Sequence, residues 1–180
     1  MVVCTANICR SVMAERFLRR DAAVLGIALE LSSCGILFDD EPASDTVIDV
    51  LKERGLDATD HRSRKFVPEM LNDLDLVLTM ERMHARELAV ALGGASSRIH
   101  TLGGFVGWLA DSADELDGPP IDRLATYAEG RRASDLLGSG ADEVDDPHGR
   151  SKRIHRRTAD RLELLSGGLL DGLYGPANTK

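Results

Sequence analysis

The chain is predicted to be an α/β protein, a three-layer sandwich in which a four-stranded parallel sheet carries helices on both faces. Three observations predict it. Four short apolar segments alternate with stretches of helical periodicity, the order from which parallel sheets are built. One of them, Leu74–Met80 (LDLVLTM), is apolar almost without interruption, as a strand covered on both faces must be. The length of 180 residues suits one domain with its own core, so a single domain over 1–180 is expected, with an acidic insertion at about 111–142.

Val2 and Val3 lead as a strand into a turn that contains a cysteine. From about Ser11 to Leu25, Met13, Phe17 and Leu18 fall at helical spacing. Leu29–Ser33 reads as the second strand. In Ala43–Arg54, Val47, Ile48 and Leu51 share one helical face, and Gly55 stands where a left-handed helix stop belongs. A polar loop, Thr59-Asp60-His61-Arg62-Ser63-Arg64, precedes the strand at Leu74–Met80. Glu81–Leu92 is a helix stopped by Gly93-Gly94, and Ile99–Leu102 is the fourth strand. The segment 111–142, rich in Gly, Asp and Ala and holding Pro119-Pro120, reads as an insertion with some helix. Ser151–Leu170 is the last long helix.

Composition narrows the function. Apolar residues are 43% and charged residues 29%, a globular balance. Aromatics are only 4%, so the core is built mostly of Leu, Val, Ile and Ala. No run of eighteen apolar residues exists to span a membrane. Arg10, Glu15, Arg16, Arg19, Arg20 and Asp21 leave no room for the apolar region of a secretory signal. Three cysteines, an odd number, do not make a disulfide framework, and a cytoplasmic location is expected. The net charge of −8 is concentrated between Asp111 and Asp146, where eleven acidic residues face three arginines. Such a chain as a whole does not seek nucleic acid. A basic run follows (Arg150, Lys152, Arg153, Arg156, Arg157, Arg161). A solvated helix face pairing with the acidic segment is the favoured reading, and a positive rim for an anionic substrate is the other.

The stretch that carries chemistry is Cys4-Thr5-Ala6-Asn7-Ile8-Cys9-Arg10-Ser11. It follows a strand and opens a helix, so its backbone N–H groups converge near the positive end of the helix dipole and form an anion nest. A cysteine at its first position and an arginine six residues on put a thiol beside a guanidinium, and both surroundings favour the thiolate form. The arginine fork matches two oxygens of a tetrahedral oxyanion. Cys4 is therefore a candidate nucleophile aimed at phosphorus and Arg10 its oxyanion ligand. Taken alone, C-x5-R is a weak signal, and a small buried cysteine explains Cys4 equally well. The second element is Asp145-Asp146-Pro147-His148-Gly149. A leaving oxygen needs a proton, and a loop carboxyl is the usual donor. Pro147 restricts Asp146 to extended backbone, which helps present its side chain. His61, His84, His100, His148 and His155 are scattered, so no metal-ligand spacing is found, and no metal or other cofactor is expected.

In order along the chain, CTANICRS, Ser32-Ser33-Cys34-Gly35, Asp60-His61-Arg62-Ser63-Arg64, LDLVLTM and Asp146-Pro147 together resemble the low-molecular-weight protein tyrosine phosphatases. Several collinear motifs are far more specific than C-x5-R alone. The resemblance implies hydrolysis of phosphotyrosine in proteins through a phosphocysteine on Cys4. Arg10 and the loop amides of Thr5, Ala6, Asn7, Ile8 and Cys9 would hold the phosphoryl group, and Asp146 would act as acid and then base. It implies that Asn7, Ser11, Ser33 and His61 brace the loop, that Ser11 donates to the thiolate, and that His148 stands where an aromatic lines the phenol pocket; Phe38 is either the other wall of that pocket or an exposed loop aromatic. Cys9 is either the partner of a reversible disulfide with Cys4 or an inert packed thiol. The implied partner is a phosphotyrosine-containing protein, with a tyrosine kinase as a further candidate. Departures from the family pattern are a short lead-in strand, Ala6 where Gly is commoner, Val12 where Pro is frequent, and His148 where an aromatic is usual. Three alternatives follow. Arsenate reduction on the same fold needs late cysteines, and none follows Cys34. A phosphoarginine phosphatase carries Thr where this chain has Ile8. An inactive phosphate-binding module would have no need to keep Cys4, Arg10 and Asp146 together.

Overall fold

The computed structural model describes residues 1–93, 97–113, 116–130 and 140–175. Four strands, β1 (Val2–Cys4), β2 (Ser33–Gly35), β3 (Val77–Thr79) and β4 (Ile99–Thr101), pair in parallel in the order β2-β1-β3-β4. The sheet is short because each ladder ends where a loop begins. Side chains alternate between its faces. Val2, Cys4, Leu78 and Met80 enter one core, while Met1, Val3, Cys34, Val77 and Ile99 enter the other. The expected three-layer sandwich is what the structure contains.

Helix α1 (Arg10–Leu25) buries Met13, Phe17 and Leu18 and stops at Gly26, whose φ of 69° lets its N–H cap the last carbonyls. Helix α2 (Asp45–Lys52) buries Val47, Val50 and Leu51, while Ile48 is only partly covered. Helix α3 (Arg82–Ala91) covers the opposite face through Ala85 and Leu88. Helix α4 (Leu102–Asp111) and helix α6 (Lys152–Tyr174) cross closely, because Gly168 and Gly172 leave room for Val106 and Leu109.

Three elements differ from expectation. The second strand is Ser33–Gly35 rather than Leu29–Ser33. Leu29 and Leu31 pack on the core edge, but the ladder is set by what can lie beside Val2–Cys4. The third strand, Val77–Thr79, is shorter than its apolar run: Leu74 packs on one core ahead of the ladder, and Met80, buried in the other, follows it while its N–H still donates to Val3 O. Helix α4 was not expected, since three glycines weaken its local preference. Packing overrides this. Leu102, Phe105 and Leu109 recur at helical spacing and are buried, and Phe105 and Trp108 lie 4.7 and 4.8 Å from the ring of Tyr127.

Tyr127 belongs to helix α5 (Pro120–Glu129), inside the acidic segment. Arg123 ties α5 to α6 through the Gly172 carbonyl at 2.6 Å. Residues 119–121 border a groove with Met1 and Leu76, at the end of the sheet where the strands begin, so this part of the segment does not cover the loop after β1. Residues 131–139, also in that segment, lie outside the described residues. The favoured reading of the basic run is corrected. Lys152 pairs with Asp49 on α2 at 2.8 Å and Arg156 with Glu53, the residue that follows α2, at 2.8 Å; among the described residues of the acidic segment only the Ala141 carbonyl receives a side chain of the run, that of Arg161. Asp49 on α2 and Glu53 at its end lie across the packed α2–α6 face, within reach of those long side chains.

Candidate active site

The chain reverses its winding between β1 and β3, and loops at the carboxyl ends of parallel strands meet at such a point. Residues 5–9 form the loop that leaves β1 there. Four of its five carbonyls are taken by groups outside the loop. Thr5 O accepts from the N–H groups of Ile36 and Leu37, Ile8 O from Ser44, and Cys9 O from Met13. Asn7 O accepts from His61 Nε2 at 2.7 Å. None of the backbone N–H groups from Thr5 to Arg10 has a protein acceptor among the described residues. Carbonyls out and amides in is the geometry of an anion nest at a helix N-terminus.

Asn7 makes the turn possible. Its φ of 53° is left-handed, a conformation asparagine tolerates better than most residues. Its side chain donates to Ser11 Oγ (2.8 Å) and Ser33 Oγ (2.9 Å) and accepts from the Arg64 N–H (2.9 Å). Ala6 is not among the positive-φ residues, so the alanine in place of glycine carries no strain. Burial lowers the pKa of His61, which favours the neutral ring that donates to the loop. Gly35 lies against the loop from behind. A Cβ there would stand 2.6 Å from Asn7 N and 2.7 Å from the Ala6 carbonyl carbon, so no side-chain rotation relieves the clash. Gly35→Ala is expected to destabilise the fold by about 2 kcal/mol, lowering Tm by roughly 5 °C, and to weaken phosphate binding. Thermal unfolding with and without phosphate measures both, and a variant with unchanged Tm would show that the loop yields freely.

Cys4, Thr5, Ala6, Ile8, Cys9, Arg10, Leu37, Phe38, Asp146 and His148 line one cavity of about 180 Å3. Of the candidate site residues, Asn7 and Ser11 do not line it. They are fully buried behind the loop, where Ser11 Oγ lies 3.1 Å from Cys4 Sγ. Because Ser11 accepts from Asn7, its own proton is free for the sulfur. Cys9 stays a thiol, with burial pushing its pKa up to about 11. Arg10 is buried (1% exposed) and held on several sides. Nη1 donates to Glu81 and to the Val144 carbonyl (2.9 Å), while Nη2 donates to Thr5 Oγ1 (3.0 Å) and to Asp146 Oδ2 (2.8 Å). Arg10 Nε, also buried, has no partner among the described residues.

Asp146 reaches the cavity on a loop anchored at its root. The Val144 N–H donates to Met80 O (2.9 Å). Asp142 accepts from Arg82 (2.8 Å) and Thr101 (2.7 Å). Burial opposes its charge, yet those donors hold its pKa below the ordinary range. The Asp146 side chain is 43% exposed, and its second oxygen accepts from the His148 N–H at 3.1 Å. Leu37, Glu81, His84 and Val144 escaped the sequence reading. Glu81 and Leu37 each lie just after a parallel strand, which was the signal available for them. Among the described residues, no group of three or more His, Cys, Asp or Glu side chains is placed to hold a metal ion, and no helix is long and apolar enough to cross a membrane.

A parallel α/β sandwich with a thiol, a buried guanidinium and inward amides at its switch point belongs to the class of oxyanion-handling proteins with a cysteine at the site. The model of the family "Low molecular weight phosphotyrosine protein phosphatase" matches residues 1–135, and the chain belongs to that family. A probable low molecular weight protein-tyrosine-phosphatase, EpsP, of Ralstonia solanacearum is 31% identical over 103 residues, which are 57% of this chain and 69% of that protein. The protein-arginine-phosphatase of Bacillus subtilis is 28% identical over 164 residues, 91% of this chain and 88% of that one. The solved low molecular weight protein tyrosine phosphatase from T. tengcongensis superposes with a TM-score of 0.72 at 31% identity, covering 94% of this chain and 95% of that one.

Proposed function

We propose that the protein hydrolyses phosphotyrosine in proteins through a phosphocysteine intermediate. The observation that carries this is the buried Nε of Arg10, which has no partner among the described residues. Together with Nη2 it makes the fork that grips two oxygens of a phosphoryl group. A bound phosphoryl takes Nη2 from Asp146, and the freed carboxyl remains beside the leaving oxygen. The Cys4 thiolate attacks phosphorus, the bond from phosphorus to the phenolic oxygen breaks, and Asp146 gives that oxygen its proton. Water then attacks the phosphocysteine, Asp146 takes the proton, and inorganic phosphate leaves with Cys4 restored as thiolate. Phosphoryl transfer of this kind is positioning plus charge stabilisation, which the amides and one arginine supply.

Ile8, Leu37 and Phe38 give the cavity an apolar rim suited to an aryl ring. A phosphoarginine side chain would place its charged guanidinium against that rim. The discriminating experiment compares kcat/KM on phosphotyrosine and phosphoarginine peptides. Phosphotyrosine is expected to be preferred, and Ile8→Thr is expected to lower the phosphotyrosine value about tenfold through lost contact with the ring. A preference for phosphoarginine in the wild type would overturn the substrate assignment and leave the mechanism standing. A free thiol nucleophile works where thiols stay reduced, which supports a cytoplasmic location.

A further inference from the structure

We infer that His84 is a positioning residue for Arg10, acting through the hydroxyl of Thr5 and through Glu81. The inference deepens the proposed reaction and rests on it. His84 is wholly buried, with 0% exposure, in the first turn of α3. Its Nδ1 accepts the Glu81 N–H at 3.1 Å. A backbone N–H can only donate, so in the neutral ring the proton sits on Nε2, and Nε2 donates to Thr5 Oγ1 at 2.9 Å. Burial, reinforced by the Arg10 guanidinium, lowers the pKa of the ring to about 4, which keeps this single tautomer at neutral pH.

Thr5 Oγ1 thus receives two donors, His84 Nε2 and Arg10 Nη2. Both lone pairs are used, and the hydroxyl cannot rotate to another acceptor without abandoning one of them. The same imidazole fixes Glu81, whose carboxylate accepts from the His84 backbone N–H and from Arg10. One ring therefore sets two of the groups that hold the guanidinium. This matters most when a phosphoryl group draws Nη2 away from Asp146, because Thr5, Glu81 and the Val144 carbonyl are then what keep the fork in plane. A role confined to capping α3 would need Nδ1 alone. The Nε2 bond joins α3 to a loop 79 residues earlier in the chain and adds nothing to the cap.

The two ring nitrogens can be tested separately. In His84→Asn the amide oxygen takes the place of Nδ1 and preserves the cap, but the side chain stops short of Thr5. In His84→Gln the amide nitrogen reaches the place of Nε2. The probes are Tm, kcat and KM on para-nitrophenyl phosphate, and the inhibition constant or binding affinity of orthovanadate. His84→Asn is expected to keep its Tm within a few degrees while kcat falls about tenfold, KM changes less, and vanadate binds about tenfold more weakly. His84→Gln is expected to recover most of that loss. Thr5→Val should match His84→Asn, and the double variant should be no worse than either. Wild-type kinetics in His84→Asn, a loss that only follows Tm, no recovery in His84→Gln, or multiplying losses in the double variant would each overturn the inference. Should His84→Asn not fold, Thr5→Val with wild-type vanadate affinity does so. Vanadate binding needs no turnover, so a protein that never hydrolyses phosphate esters would refute the proposed reaction while leaving this comparison readable.

Discussion

Cys4→Ser is expected to lower kcat on para-nitrophenyl phosphate by at least about 10^4-fold while phosphate and vanadate still bind. The serine hydroxyl occupies the place of the sulfur but is not ionised at neutral pH, and Ser11, positioned to donate a proton to it, does not act as a base. Binding survives because the oxyanion is held elsewhere. The N–H groups of residues 5–10 and the Nε–Nη2 edge of Arg10 are untouched by the change. The variant should therefore accumulate a complex with phosphotyrosine peptide, measurable by calorimetry. Residual turnover within tenfold of wild type would show that another group delivers the phosphoryl to water, and loss of phosphate binding would show that the sulfur itself holds the loop open.

Asp146→Asn is expected to lower kcat by about 10^2- to 10^4-fold with KM little changed. The amide is nearly isosteric, but its single carbonyl oxygen can accept from Arg10 Nη2 or from the His148 N–H and not from both, because the carboxylate meets them on separate oxygens; the loop keeps its anchor, the Val144 N–H on Met80 O. What the amide cannot do is release a proton to the departing oxygen. The loss should therefore depend on the leaving group. Para-nitrophenolate leaves without much help, whereas the tyrosine phenolate needs the proton, so phosphotyrosine turnover should fall the further. Steady-state kinetics on a series of substituted phenyl phosphates reads this as a steeper dependence of rate on the basicity of the leaving phenolate. Equal losses along the series would remove Asp146 from the role of acid and leave it as a resting partner of Arg10.

Much of the site was legible in the linear chain because its chemistry is local. The thiol, the guanidinium and the amides between them belong to eight consecutive residues, Cys4 to Ser11, and their closeness follows from one strand, one turn and one helix start. Asp146 was legible because proline limits the residue before it. The long helices were legible from spacing, since burial of Met13, Phe17 and Leu18 repeats at the helical period. Helix α4 was not, because its glycines weaken local preference and the compensating burial of Phe105 depends on Tyr127 from a later helix. The second strand was misplaced for a related reason. Leucines at 29 and 31 look like a strand by themselves, yet pairing begins only where Val2 finds a partner at Ser33.

What the sequence determined alone is therefore the set of candidate reacting groups and the layered α/β architecture, both of which rest on spacing within a turn or an element. What only the tertiary structure decided is how Arg10 is held. Glu81 lies 71 residues from it and Val144 lies 134, and neither residue type announces such a contact. A buried guanidinium has several donors to satisfy, and the acceptors are whichever groups the crossing of strands and helices brings within reach. Long-range pairing of that kind comes from the packing of the whole domain, and no local pattern encodes it.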